Sequence, residues 1–524
     1  MATATKNDRD RGVAKVDSQP AVEKPGDVQD EFEPTRGFDD DENTKKLTKR
    51  LLWKLDTRYT FSSFLQSVIR LIFWSRILPV LAILFLCSFL DRTNVGNAKI
   101  LGLEDDVGLN NSQYANGLAI FFAFYIAAEL PSNLVLKKAS PRIWLAFLTA
   151  AWGIIGMCLG FVHNYAGFLI VRAFLGIAEG GLLPGMVLYL SGMYTRGEMA
   201  LRIGLFYTSA SLAGAFGGLL ARGLSAIGSN AGLDAGWRWI LVIEGLLTFV
   251  AGVASYFLLP NSVATAWFLK PEERELAQRR LHNDTSAHLP NGRESEGTEK
   301  FRWSEVRRGF FNIQLWLSAT AYFSILAALY SFGLFLPTII KGLGYTANEA
   351  QLWSVIPYAV AAVITVVVAF LSDRLKLRGV VMLGVLPLAI VGYAVIGNVG
   401  EHDNNTKYGM TFLMATGLYA SVPPVLVWNS NNSAGHYKRA TTSGLQLAIA
   451  NCGGFVSAFT YPSTEAPQYH KSHTIILGLL VYAWFAILLN VLWCAKINRD
   501  KAAGKYNKYI GYGDDRDPEY KMVL

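Results

Sequence analysis

Two short stretches of the sequence place charged side chains among residues that are almost all apolar or small. The first, CSFLDRTNVGNAKI, carries Asp91 and Arg92; the second, VRAFLGIAEGG, carries Arg172 and Glu179 seven residues apart. Seven residues make about two helical turns, so the second pair projects from one helix face, about 10.5 Å apart along the axis. A planar guanidinium binds a carboxylate through two hydrogen bonds, and a neighbouring acid can hold a proton. These residue types therefore predict an anion site coupled to protonation.

Both clusters also have a structural interpretation. Asp91 and Arg92 could form an ion pair at the outer membrane interface, where charge costs little. Arg172 and Glu179 could belong to a static ion-pair network between helices, with one of them pairing with the first cluster. A charged residue at the centre of a membrane helix costs about 2.5 to 3.5 kcal/mol on insertion scales, so it needs a partner, water or a function.

Our functional interpretation gives these residues two roles. Arg92 and Arg172 are predicted to bind the substrate anion, and Asp91 and Glu179 are predicted to carry protons. Binding of an anion to an arginine changes the charge next to an acid, which would couple the substrate to the proton. Asn451, which lies among small residues in IANCGGF, is the preferred neutral member of the substrate-binding set.

Other polar residues in apolar runs have less distinct roles. Glu129, beside Pro131, is predicted to belong to an inner gate or an ion pair, and Glu244 has no clear assignment. Charge inside the apolar runs of the second half is nearly absent. The neutral polar residues there could contact a substrate or a neighbouring helix; they are Tyr322, Tyr330, Asn429, Gln446 and Asn451.

The elements that must position these residues are membrane helices. The chain of 524 residues is 52% hydrophobic and only 17% charged, which is too apolar for a hydrated surface. Its net charge of +8 comes from short basic clusters between apolar runs, which indicates membrane topology rather than nucleic-acid binding. The four cysteines lie inside apolar segments without metal-ligand or disulfide spacing. With no metal cluster, cofactor motif or catalytic nucleophile, we predict no metal, no cofactor and no enzyme activity.

A membrane helix needs roughly 20 apolar residues, and twelve runs reach that length. They lie near 77–99, 113–136, 142–162, 165–190, 200–224, 238–260, 313–340, 350–371, 379–399, 408–432, 441–462 and 474–495. The predicted fold class is an all-α polytopic membrane protein with twelve transmembrane helices in two six-helix bundles. The predicted domains are a tail at 1–75, bundles at 76–260 and 313–495, a linker at 261–312 and a second tail at 496–524.

Lysines and arginines predict the orientation of these helices. They concentrate in the central linker, in the C-terminal tail and in alternate loops, so both termini are predicted to be cytosolic. The N-terminal tail is polar and charged and is predicted to be mostly disordered, with an interfacial helix at 59–74. Within the linker, KPEERELAQRRL at 270–281 begins acidic and ends basic, which predicts a short cytosolic helix.

The motifs LDRTNVGNAKI, RAFLGIAEGGLLPG and SDRLKLRG, with the plan of six helices, a loop and six helices, resemble the major facilitator superfamily. More narrowly, they resemble its fungal anion:cation symporter branch, which includes allantoate and nicotinate permeases. The resemblance covers residues 76–496 and implies a central cavity in which Asp91, Arg92, Arg172 and Glu179 serve proton coupling and anion binding. Two departures stand out: LVLKKASPRIW lacks the superfamily's usual Asp-Arg-Gly-Arg signature, and the fifth run lacks the glycine-proline signature of drug/proton antiporters.

These observations together predict a secondary active transporter that works by alternating access. It would take up a small organic anion, such as a nicotinate- or allantoate-like carboxylate, in symport with protons. The expected partners are the anion, protons and the lipid bilayer; the expected state is a monomer in the plasma membrane. Export of an acidic secondary metabolite is the alternative within transport, and a transporter-like nutrient sensor is the alternative outside it.

Overall fold

The computed structural model describes residues 48, 51, 77–227, 233, 235–286, 303–400, 403–466, 468–510 and 514–524. All regular elements in these ranges are helices. The predicted disordered tail and the predicted interfacial helix at 59–74 therefore lie outside the described residues, apart from residues 48 and 51.

The first half of the molecule contains the helices that carry the charged motifs. They are α1 Leu78–Ile100, α2 Leu103–Val107, α3 Asn111–Lys138, α4 Pro141–Leu159, α5 Tyr165–Glu179, α6 Leu182–Ser191, α7 Arg196–Ser225 and α8 Gly236–Leu258. Helices α5 and α6 together form one span, Tyr165–Ser191, that is long and apolar enough to cross a membrane. We call the side where α1 begins the inner side of the molecule.

The linker and the second half follow the same plan. The linker helices are α9 Pro271–Ser286 and α10 Trp303–Phe310. The second half contains α11 Ile313–Gly342, α12 Ala347–Leu375, α13 Arg378–Ile396, α14 Asn404–Asn431, α15 His436–Asn451, α16 Gly453–Thr460 and α17 His470–Ala502. The helix predicted near 270–281 is present as α9.

Eleven spans in the described residues are long and apolar enough to cross a membrane. The twelfth predicted crossing is formed by α15 and α16, which are joined by Cys452. Cys452 keeps right-handed helical dihedrals (φ −60, ψ −19), so the two helices run on as one. Helix α15 begins with the polar residues HYKRATTSG, so its polarity, and not its length, sets this crossing apart from the other eleven. The predicted all-α fold of two six-helix halves is confirmed.

Helix starts follow local capping chemistry. Asn110 and Gln113 cap α3 reciprocally, each side chain accepting from the other's backbone N–H. Thr346 and Glu349 do the same for α12. Because the first turn of a helix has unsatisfied N–H groups, these pairs explain why both helices begin a few residues before their apolar runs.

Burial separates central helices from peripheral ones. In the 18-residue apolar stretch of each helix, 72% of α1, 89% of α11 and 83% of α14 is buried inside the protein. The buried share is only 39–44% for α4, α8, α13 and α17. The halves meet where α7 packs on α12, where α3 packs on α15 and α16, and where α1 packs on α11. The central helices can therefore enclose a site between the halves.

The last described segment, residues 514–524, lies on the inner face of the second half. The carbonyl oxygen of Val523 accepts from Trp428 Nε1 at 2.8 Å and from Asn432 Nδ2 at 2.9 Å. Asp515 pairs with Lys438 at 2.6 Å and with Arg308 at 3.1 Å. Helix α17 itself extends to Ala502, past the predicted boundary at 495.

Candidate functional site

Close packing of α5 on α3 positions two of the four charged residues. A Cβ atom at Gly176 would lie 2.4 Å from the carbonyl oxygen of Phe121, and one at Gly180 would lie 2.4 Å from that of Tyr125. Any larger residue would push the two helices apart, so these glycines set their separation. They thereby bring Arg172 and Glu179, which share α5, against the aromatic face of α3.

Arg92 and Glu179 form a buried ion pair between α1 and α5. Arg92 donates from Nη2 at 2.6 Å and from Nε at 2.9 Å, and both bonds end on Oε1 of Glu179. Ser88, one turn before Arg92, donates its hydroxyl to the same oxygen. The other oxygen, Oε2, is buried without a hydrogen-bond partner among the described residues. The pairing between the two clusters that the sequence left open is thus present.

Aromatic rings surround the Arg92 guanidinium. Its Cζ atom lies 4.9 Å from the ring centre of Tyr125, 5.3 Å from that of Phe89 and 5.4 Å from that of Tyr330. Ring faces attract a cation, so they help to stabilise this buried charge. Arg92 Nη1 also donates to the Tyr330 hydroxyl at 3.0 Å, which connects the first half to the second.

Arg172 is the most poorly satisfied cation of the site. Its side chain is only 2% exposed, and its Nε donates to the carbonyl oxygen of Gly117 at 3.2 Å. Its Cζ atom lies 4.6 Å from the ring centre of Phe121. Its Nη1 is buried and has no hydrogen-bond partner, and no ion pair reaches Arg172 within the described residues. A buried guanidinium in this condition favours an incoming anion.

Asp91 lies on a different face of α1 from Arg92. Trp152 of α4 donates its indole N–H to Asp91 Oδ2, and Gly156 of the same helix lies next to the other carboxylate oxygen. Glu244 of α8 is also buried nearby, within electrostatic reach of Asp91 and beside Asn94. The structure therefore brings Arg92, Arg172 and Glu179 together and turns Asp91 toward the peripheral helices.

A narrow cavity lies between the halves. Its lining includes both arginines, and the remaining lining residues are mainly aromatic: Phe89, Phe121, Phe122, Tyr330 and Tyr419, with Thr93, Leu329, Gly333 and Leu334. Asp91, Glu179 and Asn451 are not among the lining residues. The lining thus combines two arginines with aromatic rings, and its accessible surface is mostly apolar.

Asn451 lies just behind the cavity wall. Its Oδ1 accepts from the Tyr330 hydroxyl at 3.1 Å, and its Nδ2 donates to Glu129 Oε2 at 3.2 Å. Gln446, another neutral candidate, donates to Ser318 at 2.8 Å and to the Val425 carbonyl at 3.0 Å, so its bonds stay within the second half.

Sequence reasoning missed most aromatic residues of the site, and it also missed Ser88. Ser88 lies four residues before Arg92, so helical spacing alone could have placed it on the same face. Phe121 lies between the two arginines, and Trp152 holds Asp91; nothing in the sequence near either ring signals this role. Among the described residues, no group of three or more His, Cys, Asp or Glu side chains could hold a metal ion.

Comparison with known proteins gives the site a context. A family model described as Major Facilitator Superfamily matches residues 81–458. An uncharacterised transporter of Schizosaccharomyces pombe is 37% identical over 424 residues, covering 81% of this chain and 82% of the relative. The high-affinity nicotinic acid transporter of Saccharomyces cerevisiae is 30% identical over 455 residues, covering 85% and 83%. The partially occluded inward-open structure of the xylose transporter XylE from E. coli matches with a TM-score of 0.59 at 15% identity, covering 78% and 95%.

Proposed function

Because the chain belongs to the Major Facilitator Superfamily, we propose that this multi-pass membrane transporter takes up a small organic anion together with protons. Membership in a family of transporters makes the chain a transporter and not an enzyme. The anion, the proton coupling and the direction of transport are argued below from the site.

The unpaired guanidinium of Arg172 is the observation that carries the anion assignment. Arg172 and Arg92 both line the cavity, whereas Glu179, the acid that neutralises Arg92, does not. One of the two guanidiniums at the cavity wall, that of Arg172, therefore has no ion-pair partner among the described residues, in a medium where an uncompensated charge is expensive. A carboxylate that accepts from Arg172 Nη1 would neutralise this charge and gain a charge-assisted hydrogen bond.

Glu179 is the acid best placed to couple the anion to a proton. It and the substrate carboxylate would compete for the same donors, because both Nε and Nη2 of Arg92 are now bonded to Glu179 Oε1. Protonation of Glu179 would weaken this pair and release Arg92 to the substrate. Asp91, held by Trp152, is the second proposed proton carrier and would act from outside the cavity wall.

Charge arithmetic favours protons over unaided uptake. Moving one elementary charge against the membrane potential costs about 2.3 kcal/mol per 100 mV, so an anion does not accumulate in a negative cytoplasm without help. One proton cancels a single negative charge, and a second would make uptake electrogenic. The two proposed acids, Asp91 and Glu179, would allow either stoichiometry.

The lining supports a planar carboxylate as the substrate. Five of its residues are aromatic. The ring centre of Phe121 lies 5.6 Å from Cζ of Arg92 and 4.6 Å from Cζ of Arg172. One relative is named a nicotinic acid transporter, and nicotinate combines a flat ring with a single carboxylate. Asn451 belongs to the proposed binding set indirectly: in the ligand-free site it accepts from the hydroxyl of Tyr330, and Tyr330 lines the cavity.

The membrane and the orientation are part of the same proposal. The basic residues of the linker and of alternate loops support cytosolic termini, and uptake of a nutrient anion places the protein in the plasma membrane. We propose a monomer whose two halves rock about the interfaces between α7 and α12 and between α3 and α16.

Transport into proteoliposomes tests this function. Wild-type protein should accumulate radiolabelled nicotinate when an inwardly directed proton gradient is imposed. Glu179→Gln should lose accumulation yet still exchange labelled for unlabelled nicotinate, because exchange needs no net proton movement. Asp105→Asn, which changes an exposed acid outside the site, is the control and should behave as wild type.

Three results would contradict the proposal. Unchanged accumulation by Glu179→Gln would reject its role as proton carrier. Lower intracellular nicotinate in cells that overproduce the protein would favour export. Failure of wild-type protein to exchange any carboxylate of a panel that includes nicotinate and allantoate would reject the substrate class.

A further inference from the structure

A continuous chain of hydrogen bonds runs from Arg92 to Glu129 and passes through the second half of the molecule. Arg92 Nη1 donates to the Tyr330 hydroxyl at 3.0 Å, Tyr330 donates to Asn451 Oδ1 at 3.1 Å, and Asn451 Nδ2 donates to Glu129 Oε2 at 3.2 Å. Arg92 and Glu129 lie on α1 and α3, whereas Tyr330 and Asn451 lie on α11 and α15. We call these three bonds the inter-half link.

All donors of the inter-half link point in the same direction, from a cation toward a carboxylate. Aligned hydrogen bonds polarise one another, so breaking one bond weakens the rest. The link should therefore respond as a unit to any change at the Arg92 end.

Stability does not account for Glu129 at the far end of the link. Glu129 is only 6% exposed, and within the described residues its carboxylate has one hydrogen-bond partner, Asn451, and no ion pair. A single neutral amide does not offset the desolvation of a carboxylate. Acids retained in membrane helices under these conditions are functional candidates.

The cavity reaches one end of the link and not the other. Arg92 and Tyr330 line it, while Asn451 and Glu129 lie behind its wall. An anion that accepts from Arg92 Nη1, besides the donors released by Glu179, competes with the Tyr330 hydroxyl for that donor. The Tyr330 hydroxyl has one hydrogen, so donating it to the anion ends its bond to Asn451.

We propose that Asn451 and Glu129 are positioning residues that report occupancy of the anion site to the contact between the halves. In the empty carrier the inter-half link holds α3 to α15; a bound anion breaks the link at Tyr330 and frees the two helices to move. The halves then rock when substrate is present and stay linked when it is absent. This inference rests on the proposed anion site, and neither positioning residue touches the anion.

Distances between the halves test the inference in the full-length protein. Spin labels are attached through a ketone-bearing unnatural residue at Ser191 and Leu375, so that the native cysteines stay unlabelled. Both positions are exposed inner ends of helices, one in each half. Distance distributions are measured with and without nicotinate, and nicotinate affinity is measured on the same samples.

Asn451→Leu keeps the branched shape and the number of side-chain heavy atoms and removes two bonds of the link. Gln446→Met is the matched control, because Gln446 is a buried amide of the same helix whose bonds stay within the second half. We expect ligand-free Asn451→Leu to show the distance distribution of nicotinate-bound wild type. It should also bind nicotinate roughly two- to tenfold more tightly, since binding no longer breaks a hydrogen bond. Gln446→Met should match wild type in both measurements.

Two outcomes would overturn the inference: a ligand-free distribution of Asn451→Leu equal to that of wild type, or loss of nicotinate binding, which would make Asn451 a direct ligand. If wild type itself does not bind nicotinate, the proposed function fails, but the ligand-free distributions still decide whether the link holds the halves. If Asn451→Leu does not fold, Glu129→Met removes the opposite end of the link and takes its place under the same criteria.

Discussion

The two halves of the molecule handle polar groups in opposite ways. In the first half, acids and bases lie in the middle of membrane helices, as at Asp91, Arg92, Glu129, Glu179 and Glu244. In the second half, the Asp, Glu, Lys and Arg residues of the membrane helices lie within the first or last two turns. Its buried centre offers neutral groups instead, mainly tyrosine hydroxyls and the amides of Gln446 and Asn451.

This contrast suggests that the charged first half and the neutral second half have different roles in transport. The charges of Arg92 and Glu179, whose atoms lie 2.6 Å apart, are expensive to separate while both are ionised, so in the proposed mechanism this charged framework of the first half changes only when Glu179 takes up a proton. Neutral hydroxyls and amides exchange partners at a smaller cost, so the second half can rearrange around a substrate. The cavity lies where these two surfaces face each other.

The largest effect is expected from breaking the charged framework itself. Arg92→Ala leaves the Glu179 carboxylate buried without its guanidinium, which should lower the free energy of unfolding by about 3–5 kcal/mol. The measurement is unfolding of the purified protein in detergent. The double variant Arg92→Met, Glu179→Met should recover most of this loss, because no charge is left unpaired. If the double variant were as unstable as Arg92→Ala, the unpaired Glu179 carboxylate would not be the cause of the lost stability.

A smaller effect, on affinity and not on stability, is expected at the other arginine. Arg172→Ala removes the unpaired guanidinium, so nicotinate affinity should fall about 10- to 150-fold. Its stability should fall less than that of Arg92→Ala, because no described carboxylate loses an ion-pair partner. Arg172→Lys keeps the charge without the planar fork and should give an intermediate affinity. Titration calorimetry measures the affinities, and equal affinity of Arg172→Ala and wild type would remove Arg172 from the site.

The smallest effect is expected from charges at the edge of the second half. Asp515→Asn weakens the bonds to Lys438 and Arg308 that hold residues 514–524, which should cost about 0.5–1.5 kcal/mol. Limited proteolysis should cut the segment faster, while nicotinate accumulation stays at the wild-type level. A loss of accumulation as large as that of Arg172→Ala would show that the two halves are less different than proposed.

Much of this architecture follows from hydropathy and spacing. Apolar runs predicted every crossing to within a few residues at most ends, and the seven-residue spacing placed Arg172 and Glu179 on one face. The pairing of Arg92 with Glu179 was one of several open possibilities, because the sequence does not fix how α1 is rotated against α5.

Helix rotation also explains what could not be predicted. Asp91 and Arg92 are neighbours in the sequence, but consecutive helical residues point about 100° apart, so only Arg92 faces the cavity. Trp152 is 61 residues from its partner Asp91, and Asn451 is 121 residues from its partner Tyr330. No local sequence pattern predicts contacts over such separations.

The shortest crossings link the protein to the thickness of its membrane. Helices α4 and α13 have 19 residues each, or about 28 Å, while the hydrocarbon core of a plasma membrane is about 32–33 Å thick. Both helices lie on the lipid-facing periphery, one in each half. In the plasma membrane, where we propose that the protein lies, lipid thinning around these two helices would match the bilayer to the protein, and the acyl-chain length would then act on each half separately.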